Sequence, residues 1–193
     1  MTVEIYYFSG TGNSLFVARD IAEKTNGQLT SIQSVIDKER IEPSAEVVGI
    51  VFPVYYATND CGIPPIVGRF VGKLESIGLK YIFAVCTCGN MPGATIENLR
   101  KAIQSRGGEL AAGFTMKMAD KRLDVKKQQK MCINQKKKLK TISKFVAERK
   151  KGKFETRGKL RKLVLAPLLF ILRWILVNTL GGSSLSSAVV STE

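Results

Sequence analysis

Apolar, β-prone runs recur at 3–8, 47–52, 81–86 and 110–116, and a shorter one falls at 28–32. Between them the apolar positions change to helical spacing. Leu15, Phe16, Ala18, Ile21 and Ala22 predict a helix over 13–24, stopped by Asn26-Gly27. Further helices are predicted at 66–77 and 94–106, the second closed by Gly107-Gly108, with a brief one at 34–40. A long Lys-rich helix is predicted over 121–150, with Val125, Ile133, Leu139, Ile142, Phe145 and Val146 as a discontinuous apolar stripe. Strands apolar throughout, alternating with amphipathic helices, predict a parallel sheet covered on both faces. Five such units make a doubly wound α/β sheet. Ligands of such sheets bind beyond the carboxyl ends of the strands, where the strand order reverses. The loops at 9–14, 53–62 and 87–94 are therefore the candidate site.

The first of these loops reads Ser9-Gly10-Thr11-Gly12-Asn13-Ser14. Its two glycines let the backbone turn sharply and aim N–H groups at one point. The helix beginning near Asn13 adds unpaired N–H groups and the positive end of its dipole. Ser9, Thr11, Asn13 and Ser14 supply side-chain donors. No Lys or Arg lies in the loop, so the pattern suits a phosphate held by neutral donors. The Gly-Lys-Ser/Thr ending of a P-loop is missing, and Leu15 stands where a dinucleotide fingerprint has a small residue.

The run from Ile5 through Ser14 resembles the flavodoxin phosphate-loop signature, in which Ser/Thr-x-Thr-Gly-Asn-Ser/Thr binds the phosphate of flavin mononucleotide (FMN). Phe52-Pro53-Val54-Tyr55, Gly62-Ile63-Pro64-Pro65-Ile66-Val67 and Cys88-Gly89-Asn90-Met91-Pro92-Gly93-Ala94 resemble, more narrowly, the flavodoxin–ferredoxin fusion family. The resemblance covers roughly residues 3–118 and implies a three-layer α/β/α domain with five strands in the order 2-1-3-4-5. It implies FMN as cofactor and electron transfer, or flavin-dependent reduction, as activity, with a ferredoxin or reductase as redox partner. Besides the phosphate loop, it implies that Pro53, Val54, Tyr55, Tyr56, Cys88, Gly89, Asn90 and Gly93 flank the isoalloxazine ring. Tyr55 and Tyr56 are the candidates to stack on it.

The family continues into a module holding two [4Fe–4S] clusters, which needs a Cys-x-x-Cys-x-x-Cys run. This sequence has four cysteines, Cys61, Cys86, Cys88 and Cys132, and none follows Cys132. The expectation is that the chain carries no iron–sulfur cluster and stops short of such a module. The domain is expected over 1–150, with a basic and apolar extension over 151–193.

Composition adds two constraints. There is no His, which excludes Ser-His-Asp and Cys-His catalysis and His-ligated metals. Charge is segregated: residues 1–116 hold 10 Lys+Arg against 11 Asp+Glu, and residues 117–193 hold 20 against 5. The Lys-rich helix reads either as a solvated face or as a steering surface for an acidic redox partner. Nucleic acid is not an expected partner, since no reading motif or interleaved aromatics accompany the charge. The segment 163–180 is apolar except for Arg173 and Asn178, short of the roughly 20 residues that span a bilayer. It reads as a buried helix, with a membrane anchor as the alternative. No signal peptide is legible at the start, so a cytoplasmic location is expected.

Overall fold

The computed structural model describes residues 2–55, 62–89, 91–118 and 124–155, all within one unit, Met1–Arg157. Tyr56, Cys61, Asn90 and the apolar segment 163–180 lie outside the described residues.

The described chain runs β1 (Val3–Tyr7), α1 (Asn13–Thr25), β2 (Gln28–Ser31), α2 (Ile32–Val35), β3 (Val47–Pro53) and α3 (Pro65–Gly72). It continues through β4 (Tyr81–Cys88), α4 (Thr95–Gln104), β5 (Leu110–Lys117), α5 (Val125–Ala147) and β6 (Lys153–Phe154). All strand pairs are parallel, in the order β2-β1-β3-β4-β5-β6. The expected order 2-1-3-4-5 is present. A sixth strand, not foreseen as a strand, adds to its edge.

Alternation along each strand divides the core in two. Val48, Ile50 and Phe52 of β3 meet Val67 and Phe70 of α3 and Ile96 and Leu99 of α4 on one face. Val47 and Val51, with Ile5 and Phe83, meet Val17 and Ile21 of α1 and Leu139, Ile142 and Val146 of α5 on the other. Helices on both faces make the three layers. The apolar run of β3 contains one glycine, Gly49, because the Phe83 ring fills its place: a Cβ there would stand 2.6 Å from Phe83 Cζ.

Three helices differ from the sequence pattern: α2 spans Ile32–Val35, earlier and shorter than the expected 34–40. α3 starts at Pro65 and ends at Gly72, several residues before the expected 77, and Ser76 takes a positive φ of 56°. In α5 the apolar stripe splits. Leu139, Ile142 and Val146 are buried and Phe145 partly so, whereas Val125 and Ile133 are 69% and 55% exposed.

β6 is short because it is an edge held by few partners. Glu155 N–H donates to Gly113 O (2.9 Å), and the Glu155 carboxylate accepts from Thr115 N–H (2.9 Å) and Lys138 Nζ (2.6 Å).

Candidate functional site

β1 lies between β2 and β3, so successive crossovers leave it in opposite directions. Its carboxyl end is the topological switch point, and the loops following β1, β3 and β4 converge there. They enclose a cleft of about 250 Å³.

Beyond β1, Phe8 N–H still donates to Val51 O (2.9 Å), and only then does the chain leave the sheet. Ser9, Gly10, Thr11, Asn13 and Ser14 line the cleft. Gly12 does not; it is the N-cap of α1, at φ 86° and ψ −17°, a left-handed conformation that glycine adopts without a Cβ penalty. Its carbonyl accepts from Phe16 N–H (2.9 Å), and no side chain caps the helix. The first turn of α1 therefore presents N–H groups that have no intrahelical acceptor. No acidic residue stands in that turn.

The loop is pinned from beneath. The hydroxyls of Ser14 and Thr87 share a buried hydrogen bond of 2.8 Å, tying the first turn of α1 to the end of β4. Ser9 Oγ, on the cleft, and Ser143 Oγ, on α5, are buried and have no hydrogen-bond partner among the described residues. Leaving a buried hydroxyl unpaired costs roughly 1–3 kcal/mol, so such an atom on the cleft marks a place where another group completes the site.

Pro53, Val54 and Tyr55 form the second wall. Val54 N–H donates to Thr87 O (2.8 Å), which carries the β3–β4 pairing one residue past the strand. Tyr55 N–H donates to Gly62 O (3.1 Å), and its ring meets Phe8 edge-on with centroids 6.0 Å apart. The Tyr55 hydroxyl reaches back over the loop at 9–14: a Cβ on Gly10 would lie 2.9 Å from it.

Cys88 and Gly89 supply the third wall. Cys88 O accepts from Met118 N–H (2.8 Å), bringing the residue after β5 to the rim. Gly93 is not among the lining residues; at φ 57° it turns the chain ahead of α4. Behind the wall, Cys86 is fully buried, and burial pushes its thiol up to about 12, opposed by a 3.6 Å contact with Thr115 Oγ1. A thiol so held is a neutral core group at ordinary pH.

Two lining residues, Thr87 and Met118, were not singled out from sequence. Thr87 fell within the candidate loop 87–94, but the structure places it in β4, whose eight residues are all buried. Met118 follows from placing the site at the ends of all the central strands. No described lining residue is charged, so these residues offer hydroxyl, amide and backbone donors with a helix dipole behind them. Among the described residues no cluster of three or more His, Cys, Asp or Glu is placed to hold a metal ion, and no helix is long and apolar enough to cross a membrane.

No protein-family model matches the chain, and no curated protein does. Among solved structures it is similar to a short-chain flavodoxin associated with a PDU bacterial microcompartment. The two are 15% identical, with 77% of this chain and 97% of that one covered and a TM-score of 0.51. It is also similar to a flavodoxin from the domain Archaea (19% identical, 72% and 99% covered, TM-score 0.46). Megasphaera elsdenii flavodoxin is a third (18% identical, 68% and 98% covered, TM-score 0.46). The first of these likenesses, with the strand order, establishes a flavodoxin-like fold.

Proposed function

We propose that the cleft binds FMN with its phosphate at the N terminus of α1, and that the chain is a flavin-dependent electron-transfer protein. The observation that carries this reading is the donor cradle whose described lining is uncharged, with Ser9 Oγ buried and unpartnered among the described residues. Ser9, Thr11, Asn13 and Ser14 would hold the phosphate through hydroxyl, amide and backbone donors, with Gly10 and Gly12 letting the backbone close around it. Pro53, Val54 and Tyr55 would stand against one side of the isoalloxazine ring, and Cys88 and Gly89 against the other. Tyr56, Asn90 and Gly93 belong to the same two loops.

When bound, FMN supplies one- and two-electron redox chemistry. The residues around it position the ring, exclude water from one side and set hydrogen bonds at its edge. None is required as a nucleophile or general base. Electrons would pass between the flavin and a redox protein such as a ferredoxin or reductase.

Titration of the purified full chain with FMN tests the reading. Micromolar or tighter binding, with quenched flavin fluorescence, is expected. Riboflavin, which lacks the phosphate, is expected to bind about 100-fold more weakly, the loss of several charge-assisted hydrogen bonds. Absence of binding, or equal affinity for the two flavins, would overturn it.

A further inference from the structure

α5 is longer than the sheet it covers. Its 23 residues span about 35 Å, whereas the eight residues of β5 span about 26 Å. Its buried residues, Leu139, Ile142, Ser143 and Val146, all lie in the C-terminal half. Gln135 marks the level of the sheet's edge: its Nε2 donates to Lys117 O (2.8 Å), at the last residue of β5, and sits 3.8 Å from the sulfur of Met118. Met118 lines the cleft. The ten residues before Gln135 therefore extend about 15 Å past the carboxyl end of the sheet, beside the cleft mouth.

One exposed face of α5, running through the overhang and past Gln135, carries a patterned charge. Lys126, Lys130, Ile133, Lys137 and Lys140 follow one another at spacings of four and three, so they share one helix face, and all are exposed. No described residue forms an ion pair with any of these four lysines. Stability does not explain the arrangement. Like charges at this spacing weaken a helix, and Lys126 and Lys127 sit at the positive end of the helix dipole. An exposed isoleucine flanked by lysines has the make-up of a binding patch with an apolar centre and a charged rim.

We propose that the exposed lysine face of α5, which runs from its overhanging half onto the packed half, is a docking arm for an acidic redox protein, held by Lys126, Lys130, Lys137 and Lys140 around Ile133. Resting on the flavin reading of the cleft, the proposal adds the sign of the partner's surface and the place where it lands. The charge complementarity selects an acidic protein, and the root of the arm at Met118 sets that protein at the cleft mouth.

Binding of the full chain to a strongly acidic [2Fe–2S] ferredoxin, measured calorimetrically with and without FMN, tests this. Salt-sensitive association is expected, falling about tenfold or more between 0.05 and 0.5 M NaCl. The double variant Lys126→Glu/Lys130→Glu should weaken it about tenfold. The charge-matched control Lys38→Glu/Lys101→Glu, at exposed sites on other elements, should change it less than threefold. Equal effects of the two variants would overturn the arm. So would capture of phosphatidylglycerol vesicles or a DNA duplex with the ferredoxin ignored. If the chain takes up no flavin but binds ferredoxin through the arm, the flavin reading falls and the docking site stands.

Discussion

The Ser14 hydroxyl joins the first turn of α1 to a strand end 73 residues away, by a buried bond of 2.8 Å to Thr87. Ser14→Ala would leave the Thr87 hydroxyl without that partner and cost about 1–3 kcal/mol of unfolding free energy, read from denaturant midpoints. Thr87→Val added to it is expected to recover part of the loss, because two apolar groups leave nothing unpaired. Gly10 tests the other side of the loop. A Cβ there would press on the Tyr55 hydroxyl from 2.9 Å, so Gly10→Ala should weaken FMN binding several-fold while leaving the melting temperature nearly unchanged. Cys86 sets a pH dependence. Its thiol is raised from 9.0 to about 12 by burial, so its contribution is complete below pH 9 and is lost as pH climbs toward 12. At pH 10.5 the loss is about 2 kcal/mol. Cys86→Ala removes a pH-independent amount of packing, so its stability deficit should shrink by about that much between pH 7 and pH 10.5.

Elements differ in how far the sequence foretold them, and α5 shows why. Periodicity finds a helix well, since a stripe at three and four spacing has one geometric meaning. It does not say how much of the stripe finds a partner. Leu139 and Ile133 look alike in sequence, yet one lies against α1 and β5 and the other stands in solvent past the sheet. Leu139→Ala is accordingly expected to cost about 2–5 kcal/mol, and Ile133→Ala within about 0.5 kcal/mol, in equilibrium unfolding. β6 escaped notice as a strand for the opposite reason. Two residues, Lys153 and Phe154, have no period to detect, and their place depends on a Glu155 contact to Thr115 that only the folded sheet creates. The buried strands β1, β3, β4 and β5 were legible because their apolar runs have no other stable use in a chain of this composition. The loop at 9–14 was legible because its glycines and donors directly follow the first strand. Thr87 was not, because its role depends on a register between β3 and β4.

At the scale of the described residues, the lining of the cleft and the lysines of α5 differ in charge. The described lining of the cleft is uncharged, whereas the exposed face of α5 is rich in Lys. A phosphate gripped by backbone and hydroxyl donors at a helix N terminus interacts over about 3 Å, within the Debye length of about 4 Å even at 0.5 M salt, with no solvent between the partners. A protein landing on the arm is attracted across solvent, where salt screens the interaction. The two events should therefore separate on one axis. Raising NaCl from 0.1 to 0.5 M is expected to change FMN affinity less than threefold, in the same samples where ferredoxin binding falls by about tenfold or more. Should FMN affinity fall in parallel with partner binding, the lysines would be part of the phosphate grip, and the neutral cradle would be insufficient to hold the cofactor.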